Sequence, residues 1–124
     1  MKAAIKLKPL CWVGSSRKDL YNLPRDIIGD MGRALLEAQE GRLPKKAKVL
    51  KGFGSADIIE IIDSDASGTF RVVYTVRIAD LIFVLHVFQK KSKQGIKTPQ
   101  RDMDLIKSRL KQAYEIYRQE KGSN

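Results

Sequence analysis

The stretch that decides the fold runs from residue 68 to residue 97 and reads GTFRVVYTVR-IAD-LIFVLHVF-QKKSKQGIK. Its two runs of β-branched and aromatic residues are typical of neighbouring strands in a packed sheet, and Ile78–Asp80 supplies the turn between them. A guanidinium and a run of lysines accompany the hairpin: Arg71, Lys90, Lys91, Lys93 and Lys97. The pattern predicts a hairpin over 69–88 that carries these cations to one edge of a sheet, an arrangement suited to holding phosphate.

The flanking sequence predicts helices on both sides of the hairpin. Residues 5–13 favour a first strand, and apolar residues recur at helical spacing over 15–40, where Pro24 predicts two helices or one kinked helix. Residues 42–57 form a predicted basic loop, and residues 58–63 a short strand. Thr98-Pro99 is typical of a helix start and precedes an amphipathic stripe. The predicted order is β-α-α-β-β-β-α, in one domain that spans residues 1–124.

Composition favours a basic protein that binds a polyanion. The 124 residues contain 24 lysines and arginines against 14 acidic residues, a net charge of +10. Such an excess is typical of nucleic-acid binders, although a generically basic protein is the alternative. Cys11 and His86 are the only cysteine and histidine, which excludes an internal disulfide and a zinc cluster. With no apolar run long enough for a membrane span or signal peptide, we expect a cytoplasmic protein without metal or cofactor.

The segments "LPKKAKVLKGFG", "GTFRVVYTV" and "FVLHVFQKKSKQGIKTPQ" together resemble the RelE/HigB superfamily of bacterial toxins, and its phage-derived branch most of all. The resemblance runs from about residue 7 to residue 110. It implies an α+β fold in which a small twisted antiparallel sheet of about four strands packs against two N-terminal helices and one C-terminal helix. It also implies a toxin of a type II toxin–antitoxin pair that cuts mRNA in the ribosome without a metal. The implied partners are mRNA, the ribosome and a small antitoxin, in this family often a helix-turn-helix protein.

The resemblance also implies a set of catalytic residues. Cleavage by the RNA 2′-hydroxyl needs a base, cations for the phosphate charge and an acid for the leaving oxygen. Arg71 stands where these toxins use an arginine, and Lys90 or Lys91 where they place a second cationic or acidic group. Glu60 is either the base or a structural partner of Arg71. Arg71 could instead form a salt bridge with an acidic residue: Asp63, Asp65 or Asp80. As a residue at a strand edge, Arg71 should be replaceable without loss of the fold.

Further lysines are candidates for holding the RNA backbone: Lys45, Lys46, Lys48, Lys51, Lys93 and Lys97. The sequence departs from the family at Ile62, where the phage-derived branch carries an arginine. This loss puts catalysis in question, and either Lys48 or Lys51 could substitute. His86 fits a core or sheet-surface residue better than a catalyst.

Two other interpretations compete with that of a ribosome-dependent endoribonuclease. The first is an RNA- or ribosome-binding domain that keeps the fold and has lost the chemistry, which the isoleucine at position 62 would allow. The second is a phage-derived protein that inhibits host processes through protein contacts.

Overall fold

A computed structural model describes residues 6–90 and 97–122 of the chain. The elements in chain order are β1 (Leu10–Trp12), α1 (Ser16–Tyr21), α2 (Arg25–Gln39), β2 (Ala47–Val49), β3 (Ile58–Asp65), β4 (Gly68–Thr75), β5 (Ile82–Lys90) and α3 (Gln100–Gly122). None of the helices in these ranges is long and apolar enough to cross a membrane. The α+β class and the order of the predicted elements are confirmed.

The sheet contains five strands in the order β1-β5-β4-β3-β2. Strands β2 to β5 pair in antiparallel fashion, whereas β1 runs parallel to β5, so the sheet is mixed rather than antiparallel throughout. The additional strand β2 lies within the predicted basic loop. Its three residues are intermediate or exposed, so it lacks the buried apolar run that marks a strand in a sequence.

Helices cover both faces of the sheet because the strands β3, β4 and β5 are apolar on both sides. On the first face the strands pack against α1 and α2, with a core that includes Ile59, Ile61, Phe70, Val72, Tyr74, Val84, Ile27, Met31 and Leu35. On the second face they pack against α3, with a core that includes Ile58, Val73, Phe83, Leu85, Ile106, Leu110 and Ala113. We call these the α2 face and the α3 face.

An irregularity in the pairing of β4 with β5 decides which residues of β5 reach the α3 face. Val73 pairs with His86 and Tyr74 with Val84, which leaves Leu85 as an extra residue on β5. Before this bulge the odd-numbered residues of β5 face α3, and after it the even-numbered ones do. Lys90 therefore lies on the same face as Arg71.

The helix boundaries follow the predicted proline signals. Pro24 precedes α2, and its carbonyl accepts the backbone hydrogen bond of Ile28 at 2.9 Å. Pro99 precedes α3 and accepts from the backbone of Met103 at 3.0 Å. The predicted turn at 78–80 is also present, with a backbone bond from Leu81 to Ile78 at 3.2 Å.

Candidate active site

A buried ion pair lies at the centre of the α3 face. Arg71 belongs to β4, the central strand of the five, and Glu60 belongs to the neighbouring strand β3. Arg71 Nη1 donates to Glu60 Oε1 at 2.8 Å, and the two side chains are 3% and 0% exposed. The partner of Arg71 is thus Glu60 and not Asp63, Asp65 or Asp80. Arg71 is buried in the middle of the sheet rather than placed at its edge.

Thr98 joins this pair from the segment that precedes α3. Its hydroxyl donates to Glu60 Oε2 at 2.7 Å, and Arg71 Nη1 lies 3.3 Å from the same hydroxyl oxygen. The three side chains form one network in which both carboxylate oxygens of Glu60 accept a hydrogen bond. The sequence predicted Thr98 only as a helix cap, and its position directly before Pro99 gave no sign of this contact.

Lys90 is the second cation beside the network. Lys90 on β5 pairs with Thr69 on β4, two positions before Arg71. Its side chain is buried, with 7% of the residue exposed. Burial lowers the pKa of Lys90, and the nearby charge of Arg71 lowers it further, while Glu60 opposes the shift. An ammonium group with a lowered pKa gives up its proton more readily than an ordinary lysine does. Lys91 and Lys93 lie outside the described residues.

Lys48 is placed where it can supply part of the charge that Ile62 lacks. Lys48 on β2 pairs directly with Glu60, so the two residues share the α3 face. Its charge also contributes to the lowered pKa of Lys90. Ile62 pairs with Arg71 on the same face and is only partly buried. Position 62 carries no cation, but Lys48 on the adjacent strand β2 supplies a positive charge on the same face of the sheet.

A cleft opens beside this network, between the end of β2 and the start of α3. Its volume is about 460 Å³, and Glu60 and Thr98 belong to its lining. Three exposed lysines border it: Lys48, Lys51 and Lys97. We call it the lysine cleft. Of the lysines predicted to hold RNA, these three are brought together.

Lys45 and Lys46 lie apart from the lysine cleft. They border a smaller cavity of about 210 Å³ between α2 and the edge of the sheet. Lys46 Nζ donates to Asp63 Oδ1 at 2.7 Å. Burial alone would raise the pKa of Asp63, but hydrogen bonds, led by that from Lys46, lower it. Lys46 thus has an acidic partner of its own, on the α2 face and so on the opposite side of the sheet from the Arg71 network.

His86 belongs to a separate polar group on the α3 face. Its Nε2 lies 2.8 Å from Asp102 Oδ1, and its ring stacks on Phe88 with centroids 4.5 Å apart. Arg109 Nη1 donates to the Leu85 carbonyl at 3.0 Å and lies 3.5 Å from His86 Nδ1. Burial lowers the pKa of His86, and the hydrogen bond to Asp102 opposes the shift. These contacts attach α3 to β5, and His86 is buried on the sheet, which agrees with the prediction of a core or sheet-surface residue.

Among the described residues, no group of three or more histidine, cysteine, aspartate or glutamate side chains is arranged to hold a metal ion. The chemistry available in the described part of the site is that of a carboxylate, a guanidinium, ammonium groups and a hydroxyl. A carboxylate can accept a proton, and the cations can stabilise charge on phosphate oxygens.

The family described as "Phage derived protein Gp49-like (DUF891)" matches residues 18–111, more than half of the chain. A similar solved structure is the RelBE2 toxin–antitoxin complex from Mycobacterium tuberculosis, with 18% identity and a TM-score of 0.48. That similarity covers 73% of this chain and 100% of the matched one. No curated protein matches the chain. From the family match, the chain belongs to the Gp49-like family of phage-derived proteins, which confirms the phage-derived family predicted from its sequence.

Proposed function

We propose that the protein is the toxin of a type II toxin–antitoxin pair and cleaves mRNA on the ribosome by metal-free attack of the 2′-hydroxyl. The observation that carries the proposal is the buried network of Glu60, Arg71 and Thr98, beside Lys90 and the lysine cleft. Membership of the Gp49-like family supports it. This combination offers a base, fixed cations and a basic path for the RNA backbone.

In the proposed reaction, Arg71 exchanges partners. The scissile phosphate of the RNA draws the Arg71 guanidinium away from Glu60, and the Glu60 carboxylate is then able to accept a proton. Glu60 takes the proton of the 2′-hydroxyl, and the resulting oxygen attacks phosphorus and forms a 2′,3′-cyclic phosphate. Lys90 donates a proton to the departing 5′-oxygen, a role that suits its lowered pKa. Arg71 and Lys48 stabilise the charge on the phosphate oxygens.

The proposed partners follow from this activity. A protein that destroys mRNA must be held inactive in its own host, so we propose a small antitoxin, a helix-turn-helix protein as the family resemblance implies. The proposed site of action is the ribosome in the cytoplasm. The surface lysines of the cleft would contact the mRNA backbone or ribosomal RNA, which makes binding dependent on salt.

One observation favours a second candidate, an RNA- or ribosome-binding domain without catalysis. Arg71 is 3% exposed and engaged with Glu60, and position 62 carries isoleucine instead of a cation. A guanidinium held in this way would contribute structure rather than chemistry if RNA cannot displace the carboxylate.

Cleavage of ribosome-bound mRNA by the purified protein separates the two candidates. We expect cut products that end in a 2′,3′-cyclic phosphate, and a loss of about 10²-fold or more in cleavage rate for Lys90→Ala, the scale of removing a positioned general acid. Lys111→Ala changes an exposed lysine of α3 outside the cleft and should leave the rate unchanged. Ribosome binding without cut mRNA would favour the second candidate. If the protein neither binds ribosomes nor arrests growth on expression, both candidates are excluded.

A further inference from the structure

The lysine cleft has an apolar interior as well as a basic border. Leu50 and Met103 belong to its lining, and both also contact the core of the α3 face. The Met103 methyl group lies against Gly52, where an added Cβ would come within 3.0 Å of Met103 Cε. Gly52 has a φ of +106°, a conformation that disfavours any other residue. One wall of the lysine cleft is therefore formed by the thioether of Met103 and the backbone of Gly52.

An apolar interior is not needed for holding phosphate alone. Lysines bind phosphate as exposed point charges, and an anion site needs no thioether or leucine beneath it. A nucleotide has the matching composition, because its base presents a flat apolar face and its phosphate an anion. The flexible, polarizable side chain of methionine packs well against such a ring.

The size of the cleft limits the ligand to a small unit. A volume of about 460 Å³ lies within the range of pockets for small molecules and cofactors, roughly 300–1,000 Å³. A base that enters it must be unpaired, since a base within a duplex presents only its edges. The cleft therefore fits one nucleotide of a single strand.

We propose that the lysine cleft binds one nucleotide of single-stranded RNA, with its base against Leu50 and Met103 and its phosphate at Lys48, Lys51 and Lys97. This inference rests on the proposed function, and it identifies where the nucleotide next to the cleaved bond is held. The cleft adjoins Glu60 and Thr98, so an occupant lies directly beside the proposed chemistry.

Methionine methyl resonances measured by NMR test the proposal with two probes, adenosine 5′-monophosphate and ribose 5-phosphate. The nucleotide should shift the methyl signal of Met103, while that of Met31, buried on the α2 face, stays in place. Ribose 5-phosphate carries the same anion without a base and should bind at least about fivefold more weakly, because burying about 40 Å² of apolar base surface at about 25 cal/mol per Å² is worth about 1 kcal/mol. Equal affinity for the two probes would overturn the proposal.

Variants show whether the preference for the nucleotide comes from the cleft. Met103→Ala should reduce the affinity ratio of the two probes to near one, as should Met103→Gln, which keeps the length of the side chain if the alanine variant is unstable. Leu105→Ala removes an exposed apolar residue of the same helix outside the cleft and should keep the ratio. A ratio that survives both Met103 variants contradicts the assignment, as does an acidic peptide that binds more tightly than the nucleotide and displaces it.

The affinity ratio of the two probes is measured without any cleavage of mRNA, so the two proposals are tested separately. If the Met103-dependent preference is present and mRNA is not cut, the proposed endoribonuclease function fails and the nucleotide site stands. If mRNA is cut and the preference is absent, only the nucleotide site fails.

Discussion

Replacement of Arg71 by alanine should destabilise the fold strongly. The variant leaves the Glu60 carboxylate buried, with its bond from Thr98 but without the guanidinium 2.8 Å away. Removing one member of a buried pair typically costs about 3–5 kcal/mol, because the remaining charge is uncompensated. Opposite charges about 4 Å apart at an effective dielectric constant of about 20 attract by about 4 kcal/mol, which gives the same range. We expect Arg71→Ala to lose about 3–5 kcal/mol of unfolding free energy.

Removing both charges together should restore most of that stability. The double variant Glu60→Leu/Arg71→Met fills the site with apolar side chains of similar volume, a change that is often neutral or stabilising. The Thr98 hydroxyl loses its acceptor, at a cost of about 1 kcal/mol. We therefore expect the double variant to lie within about 2 kcal/mol of the wild type.

Urea denaturation of the wild type, Glu60→Leu, Arg71→Met and the double variant measures the coupling between the two charges, and Arg71→Ala is unfolded alongside them. A matched control is Arg33→Ala, which breaks the surface pair of Arg33 with Asp30 and should cost less than about 1 kcal/mol. The reasoning is refuted if Arg71→Ala costs less than about 1 kcal/mol or if the two single changes simply add. Cleavage by Arg71→Lys, which keeps a charge but not the bidentate fork, then reports on chemistry under conditions where the variant is folded.

Three further outcomes are expected. Because burial lowers the pKa of His86 in the folded state, the unfolded chain binds the proton more readily, so stability should fall as the pH drops through the ordinary value of 6.5, by at most about 1.4 kcal/mol per pH unit. Urea midpoints between pH 8 and pH 5 should show this slope, and His86→Gln should flatten it; an unchanged slope assigns the effect to other groups. Gly14→Ala should be destabilising by more than about 1 kcal/mol, since φ is +57° and a Cβ would lie 2.9 Å from Arg109 Nε. By contrast Gly32→Ala, in the interior of α2 with open space around it, should stabilise by about 0.5–1 kcal/mol, and thermal melts that rank the two variants the other way would contradict both accounts. Cleavage of ribosome-bound mRNA should continue after chelation at concentrations that leave ribosomes intact, and its loss there would refute the metal-free reaction.

Much of the fold could be predicted because its signals are local. The helical spacing over residues 15–40, the proline at position 24 and the Thr98-Pro99 junction each act within one or two turns of chain. The hairpin follows equally from two β-branched runs and a short turn. Cations on the hairpin and after it were also visible, because residue type needs no structure to be read.

What only the tertiary structure decided is which of these residues meet. The position of β1 beside β5 and the fifth strand β2 depend on packing between distant segments, and β2 buries too little to show in its sequence. The extra residue Leu85 shifts the alternation of β5 and so places Lys90 on the face of Arg71, which strict period-two spacing assigns to the opposite side. Glu60 is the partner of Arg71 because the register of β3 against β4 puts the two side chains on one face, two positions apart. Residue types are a property of the sequence, but register is a cooperative outcome of burying both faces of the sheet at once.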